Sequence, residues 1–147
     1  MKSEELRRLH AITVDVEDWF QVENLSDVIQ RDKWDSYEPR VVRNTLRILD
    51  LLEQFGARGT FFVLGWIAER FPDLVKEIIA RGHEVGSHGY AHKMINVQTR
   101  AEFRADVLRS LEVLEPLVGD RVRLYRAPSF SIGRKTLWAL EVLAELG

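Results

Sequence analysis

Apolar residues in this chain follow two patterns that alternate. Short stretches at 11–14, 58–64, 83–86 and 122–125 read as strands, the second being the apolar Gly59-Thr60-Phe61-Phe62-Val63-Leu64. Between them, apolar positions recur at helical spacing. Val42, Leu46, Leu49 and Leu52 form one such stripe, with Pro39 suited to the first helical position and Gly56 to the C-cap. A short helix over 66–71 is followed by a second that Pro72 restarts, with Leu74, Val75, Ile78 and Ile79 buried. Thr99-Arg100-Ala101-Glu102 is a capping box, opening a helix with Phe103, Val107, Leu111, Leu114 and Val118 on one side. A last helix over 134–146 is expected to bury Leu137, Leu140 and Leu143. The stretch 21–38 holds Trp34 and Tyr37 but no period, and reads as a long loop with a short helix. The order β-α-β-α-β-α-β-α predicts a parallel α/β sheet with helical crossovers, in one domain over residues 1–147. It suits a small open sheet or part of a larger barrel.

Polar residues then gather where strands end. The first run leads into Asp15-Val16-Glu17-Asp18, and alternation sends Asp15 and Glu17 to one side of an extended chain. Unpaired buried carboxylates are costly, so acids there need a reason. The third run enters Gly82-His83-Glu84-Val85-Gly86-Ser87-His88-Gly89-Tyr90-Ala91-His92. If that stretch turns helically, His88 and His92 lie on one face, where two neutral imidazoles can hold one divalent metal. Arg126 follows the fourth run. In a parallel sheet or barrel, all of these sit at the carboxyl ends of strands and can converge on one mouth.

Composition narrows the functional classes. A net charge of -2 with scattered Lys and Arg gives no basic face for nucleic acid. The absence of cysteine removes disulfides, thiolate metal sites and a Cys nucleophile. No stretch reaches the ~18 apolar residues of a membrane span. The N-terminus shows no apolar leader segment, which fits a cytoplasmic protein or targeting parts outside this sequence.

The motifs resemble those of the polysaccharide deacetylases, the NodB-homology group or carbohydrate esterase family 4, from about Ile12 onward. Thr13-Val14-Asp15-Val16-Glu17-Asp18 looks like the family's first motif, Gly82 to His92 its second, and Arg126-Ala127-Pro128 its third. The Asp-Val-Glu-Asp-Trp-Phe-Gln-Val form is similar to a branch linked to bacterial exopolysaccharide export. The resemblance implies a distorted (β/α) barrel, of which this chain holds the first four β/α units. It places Asp15 as catalytic base, His88 and His92 as metal ligands, and Arg126 as the group orienting the base. Pro128 would hold the third-motif loop, and the Ser129 N–H would bind the oxyanion. Two adjacent aspartates are usual in the first motif, but here Val16 follows Asp15. The metal acid is then Glu17, which alternation aims with Asp15, or its rival Asp18. The motif's usual aromatic is absent at Ser129 and comes one residue later, at Phe130.

What the resemblance implies for function is a metal-dependent hydrolase, zinc being the metal its ligand types favour, removing N-acetyl groups from a bacterial polysaccharide. The family's second catalytic histidine falls in later motifs. His10 precedes the first strand and His83 starts the third, so neither replaces it. The sequence therefore reads as the N-terminal part of a deacetylase domain, expected to associate with itself or a complement. Other readings are a non-catalytic metal- or glycan-binding module, and an amide hydrolase acting on a small substrate. Tyr90, Trp19 and Trp34 are sugar-stacking candidates, with ordinary packing as the competing reading.

Overall fold

A computed structural model describes residues 10–147; the reading of residues 1–8 as lacking an apolar leader lies outside the described residues. Strands β1 (Thr13–Val16), β2 (Thr60–Val63) and β3 (Glu84–Ser87) form a parallel sheet in the order β1-β2-β3. Thr13 faces Thr60 and Thr60 faces Glu84, so Val16, Val63 and Ser87 share one level at the carboxyl edge. Phe61 and Val63 on the middle strand are fully buried. Their unbroken apolar run is what a strand covered on both faces requires.

Helices α1 (Val41–Gln54), α2 (Gly65–Arg70), α3 (Pro72–Ala80), α4 (Arg100–Val118) and α5 (Trp138–Leu146) connect and flank the strands. Pro72 does occupy the first turn of α3. Thr99 and Glu102 make both bonds of the capping box, and Gly119 ends α4 in the left-handed conformation at φ 76°. The main core packs Val16, Leu49, Phe61, Val63, Ile67 and Ile78, while Ile95, Phe103, Val107, Ala139 and Val142 form a second cluster under α4 and α5. Stretch 21–38 contains two 3-10 turns, Glu23–Leu25 and Arg31–Ser36. It is pinned by Trp34, 3% exposed, whose ring meets Trp66 edge-on at 5.5 Å. No described helix is long and apolar enough to cross a membrane.

Four expectations need correction. The fourth strand shrinks to one parallel bridge, Ser87 to Tyr125, with Ser87 N–H donating to Leu124 O at 2.8 Å and Arg126 N–H to Ser87 O at 2.9 Å. The preceding residues leave the sheet because the Val122 N–H goes to the Glu115 carboxylate and Arg121 reaches Leu146 O. Helix α1 starts at Val41, not Pro39, because Asp18 accepts hydrogen bonds from the Arg40 and Val41 amides. The histidine stretch is not helical: β3 runs to Ser87, and a turn follows with Gly89 at φ 76° and His92 at φ 48°. Finally, α5 begins at Trp138 and buries Ala139 and Val142, leaving Leu137 and Leu140 about half exposed and Leu143 only partly buried. Trp138 meets Phe103 edge-on at 5.7 Å, and Arg100 pairs with Glu141 and Glu145. Those contacts turn the Ala139/Val142 face, not the leucine stripe, onto α4.

Candidate metal centre and active site

The carboxyl edge of the sheet gathers the polar strand ends. Glu17 leaves β1, His88 leaves β3, and His92 comes back over the same edge because the turn between them reverses. One ligand atom from each of Glu17, His88 and His92 lies within 4.8 Å of the others. His88 and His92 are almost fully buried, with ring centroids 5.2 Å apart. The His88 Nδ1 donates to the Arg126 carbonyl at 2.8 Å, since a carbonyl can only accept. Its Nε2 therefore keeps a lone pair toward the cluster. Burial above all pushes the His88 pKa down, against the Arg126 hydrogen bond and the Asp15 charge, which favours the neutral imidazole that a metal ligand must be.

Two features of this cluster suit a cation. The buried Oε2 of Glu17 has no hydrogen-bond partner, although His92 Nε2 is 2.9 Å away. The short approach lacks hydrogen-bond geometry, so neither atom satisfies the other. A buried carboxylate oxygen left so is costly unless something of opposite charge joins it. Two imidazole nitrogens and one carboxylate oxygen suit zinc or a similar divalent ion, with positions left open for water or substrate. Glu17, His88 and His92 thus fit the metal that this chemistry calls for.

Asp15 stands beside the cluster. Arg126 Nη1 donates to Asp15 Oδ1 at 2.6 Å, and its Nη2 donates to Thr13 Oγ1 at 2.7 Å. Thr13 and Asp15 are two apart on β1, hence on one face. The guanidinium lies over the Phe62 ring at 4.2 Å. Asp15 Oδ2 is 3.9 Å from His88 Nε2, too far for a hydrogen bond but close enough to face the same space. Arg126 thereby joins both parts of the site, holding Asp15 by its side chain and His88 by its carbonyl.

A cleft of about 230 Å³ opens over Asp15, Glu17, His88 and His92, rimmed by Glu23 and Asn24 from the long loop and by Ser129 and Phe130. A second cleft of about 450 Å³ shares Asp15, Ser129 and Phe130, and is walled by Phe62 and Ile132. Ser129 and Phe130 sit in a short turn after buried Pro128, both at positive φ, 49° and 52°. Two adjacent non-glycine residues in that region are strained, and such strain concentrates at functional sites. Phe130 is 99% exposed.

Two predicted site residues are not brought here. Asp18 is 2% exposed and spends both oxygens on backbone amides, Oδ1 on Trp19 and Oδ2 on Arg40 and Val41. It lies outside the ligand cluster because it caps α1. Tyr90 is buried with Arg109 stacked on its ring at 3.6 Å and its hydroxyl donating to Glu69 at 2.6 Å. It packs against α2 and α4 and offers no face to a sugar. Trp34 is likewise core, while Trp19 is 37% exposed with its indole N–H on Glu38 O. Thr13, Arg31 and Asp106 also brace the site, in roles that no sequence motif assigns them. Asp106 had a visible signal: an acid flanking the buried stripe of α4, between Phe103 and Val107. Arg31, in an aperiodic loop, had none.

The fold and motifs can be set beside known proteins. The chain matches the family model described as polysaccharide deacetylase over residues 32–147. It is 38% identical over 98 residues to a peptidoglycan-N-acetylglucosamine deacetylase of Bacillus cereus, covering 66% of this chain and 36% of that protein. Among solved structures, a polysaccharide deacetylase from Mycobacterium smegmatis, itself described as putative, aligns with a TM-score of 0.72 at 29% identity, covering 93% of this chain and 48% of that one. A CE4 family pseudoenzyme from Bacillus anthracis aligns at 0.70 over 92% of this chain and 40% of that one; at 20% identity it supports the fold alone. The chain thus spans about a third to a half of the length of these relatives. With a family match covering most of the chain, and a parallel α/β sheet and strand-end motifs arranged as described, the chain belongs to the polysaccharide deacetylase family.

Proposed function

We propose that this chain carries the metal-binding and base-bearing part of a site that removes N-acetyl groups from a bacterial polysaccharide, its three strands forming an arc of a distorted barrel. One observation carries this reading: Arg126 ties Asp15 and His88 into a single constellation beside the Glu17–His88–His92 cluster. Glu17, His88 and His92 would hold the divalent metal, zinc by donor type, which when bound polarises an acetyl carbonyl and acidifies water. Asp15 accepts the proton of the attacking water at Oδ2, because Arg126 occupies Oδ1. Arg126 orients that carboxylate. The Ser129 N–H donates to the acetyl oxygen as negative charge builds on it. Pro128 fixes the turn that presents this amide. The similarity to peptidoglycan deacetylases favours N-acetylglucosamine-containing polymers as substrate, and exopolysaccharide is the narrower form of the same proposal.

Acetate release from N-acetylglucosamine oligomers by the zinc-loaded chain tests this. Asp15→Asn is expected to slow release by about 10²- to 10⁴-fold, the usual contribution of a general base. Equal rates for variant and parent would sink the assignment of Asp15. A second reading, binding without turnover, is favoured by one observation. Among the described residues no further histidine faces the site: His83 accepts the Gly59 amide at the amino end of β3, and His10 precedes β1. Zinc uptake with no acetate release would select it. Self-association belongs to the same proposal, through exposed Leu137 and Leu140. It predicts a sedimentation coefficient that rises with concentration, and a constant monomer value would exclude it.

A further inference from the structure

The turn that carries His92 is held by two residues that belong to neither the ligand set nor the base. Arg31, from the 3-10 turn Arg31–Ser36, donates from Nε to Ala91 O at 2.9 Å and from Nη2 to His92 O at 3.0 Å. Asp106 on α4 accepts the Tyr90 amide at 2.8 Å and the Ala91 amide at 3.3 Å. Gly89 permits that approach, since a Cβ there would stand 2.8 Å from Asp106 Oδ2. The turn is thus gripped along its carbonyl edge by a guanidinium and along its amide edge by a carboxylate.

This grip matters because the two histidines are oriented differently. The His88 ring is steered by its own hydrogen bond to the Arg126 carbonyl. The His92 ring has no such guide: its Nδ1 is buried without a partner, and its backbone sits at φ 48°, a region a β-carbon-bearing residue rarely adopts. A metal-binding histidine normally takes its orientation from an outer hydrogen bond. Here the backbone must supply it. We propose that Arg31 and Asp106 are positioning residues that clamp the turn from both edges and hold His92 in its left-handed conformation, aimed at Glu17. The clamp also couples the long loop to the site, since Arg31 lies in the same loop as Glu23, which rims the cleft. The inference rests on the reading of Glu17, His88 and His92 as a metal site.

Zinc affinity, measured by competition with a chromophoric chelator, tests it together with amide exchange in the metal-free protein. Arg31→Ala is expected to weaken zinc binding about ten- to a hundredfold, the usual cost of losing an outer-shell partner, and to speed exchange at Tyr90 and Ala91. Arg31→Lys, with one compact donor group, recovers part of the affinity. Asp106→Asn, which keeps one oxygen acceptor, loses less than Arg31→Ala. Arg100→Ala removes an arginine with two carboxylate partners elsewhere on the surface, and is expected to leave zinc affinity unchanged. Parental zinc affinity in Arg31→Ala overturns the clamp and leaves the metal site standing. A parent chain that takes up no zinc overturns the metal site and the clamp with it.

Discussion

Glu17→Gln is expected to lower zinc affinity on the order of a hundredfold while leaving the metal-free protein as stable as the parent or slightly more so. The first effect follows from ligand count. A structural zinc site contributes an apparent ~10 kcal/mol or more, so losing the anionic member of three is worth about 3 kcal/mol. The second follows from the state of the carboxylate. Its Oε2 is buried and unpartnered, 2.9 Å from His92 Nε2. An amide nitrogen in that place can donate to the imidazole and removes a buried negative charge. Relief of about 1 kcal/mol would raise the melting temperature of a protein this size by roughly 2–4 °C. Isothermal titration with zinc and a thermal scan of the chelated protein read the two effects separately. Undiminished zinc affinity in Glu17→Gln would remove Glu17 from the ligand set.

Asp18→Ala is expected to give the opposite pair of results, a large loss of stability with zinc affinity unchanged. Asp18 Oδ2 accepts the amides of Arg40 at 2.7 Å and Val41 at 2.9 Å, where α1 begins and its first N–H groups point outward. Its negative charge also meets the positive end of the helix. Loss of an N-cap costs ~0.5–2 kcal/mol, and the stranded buried amide adds ~1–3 kcal/mol. A total of about 3 kcal/mol should lower the melting temperature by roughly 10 °C. Asp18→Asn, which keeps one acceptor, should recover part of that loss. A hundredfold fall in zinc affinity in Asp18→Ala, with the melting temperature unchanged, would reverse the roles of these neighbouring acids.

These two residues show what kind of information each level holds. The run Asp15-Val16-Glu17-Asp18 announces chemistry, because a buried strand does not end in three acids without partners. Alternation along an extended chain already aims Glu17 with Asp15. It cannot say that Asp18 turns back to cap a helix 22 residues later, because the cap depends on where α1 docks. Tyr90 carries the same lesson. In the motif it sits between two histidines, yet the turn directs its ring into the α2–α4 packing, under Arg109. The stretch 122–125 reads as a fourth strand, but only Tyr125 bridges to β3, while the Val122 amide goes to the Glu115 carboxylate.

By itself, the sequence determined the alternating α/β order, the capping box of α4, the break at Pro72 and the set of polar residues at strand ends. These are local properties: periodicity, cap chemistry and proline sterics act within a few residues. The family's motifs are legible for the same reason, being short and contiguous. Only the tertiary structure decided which acid faces the histidines, that Arg126 binds Asp15 and His88 at once, and that Arg31 and Asp106 grip the turn between them. Those contacts join residues from 15 to 111 positions apart. Each is set by how strands register and helices dock, and no periodicity along the chain encodes it.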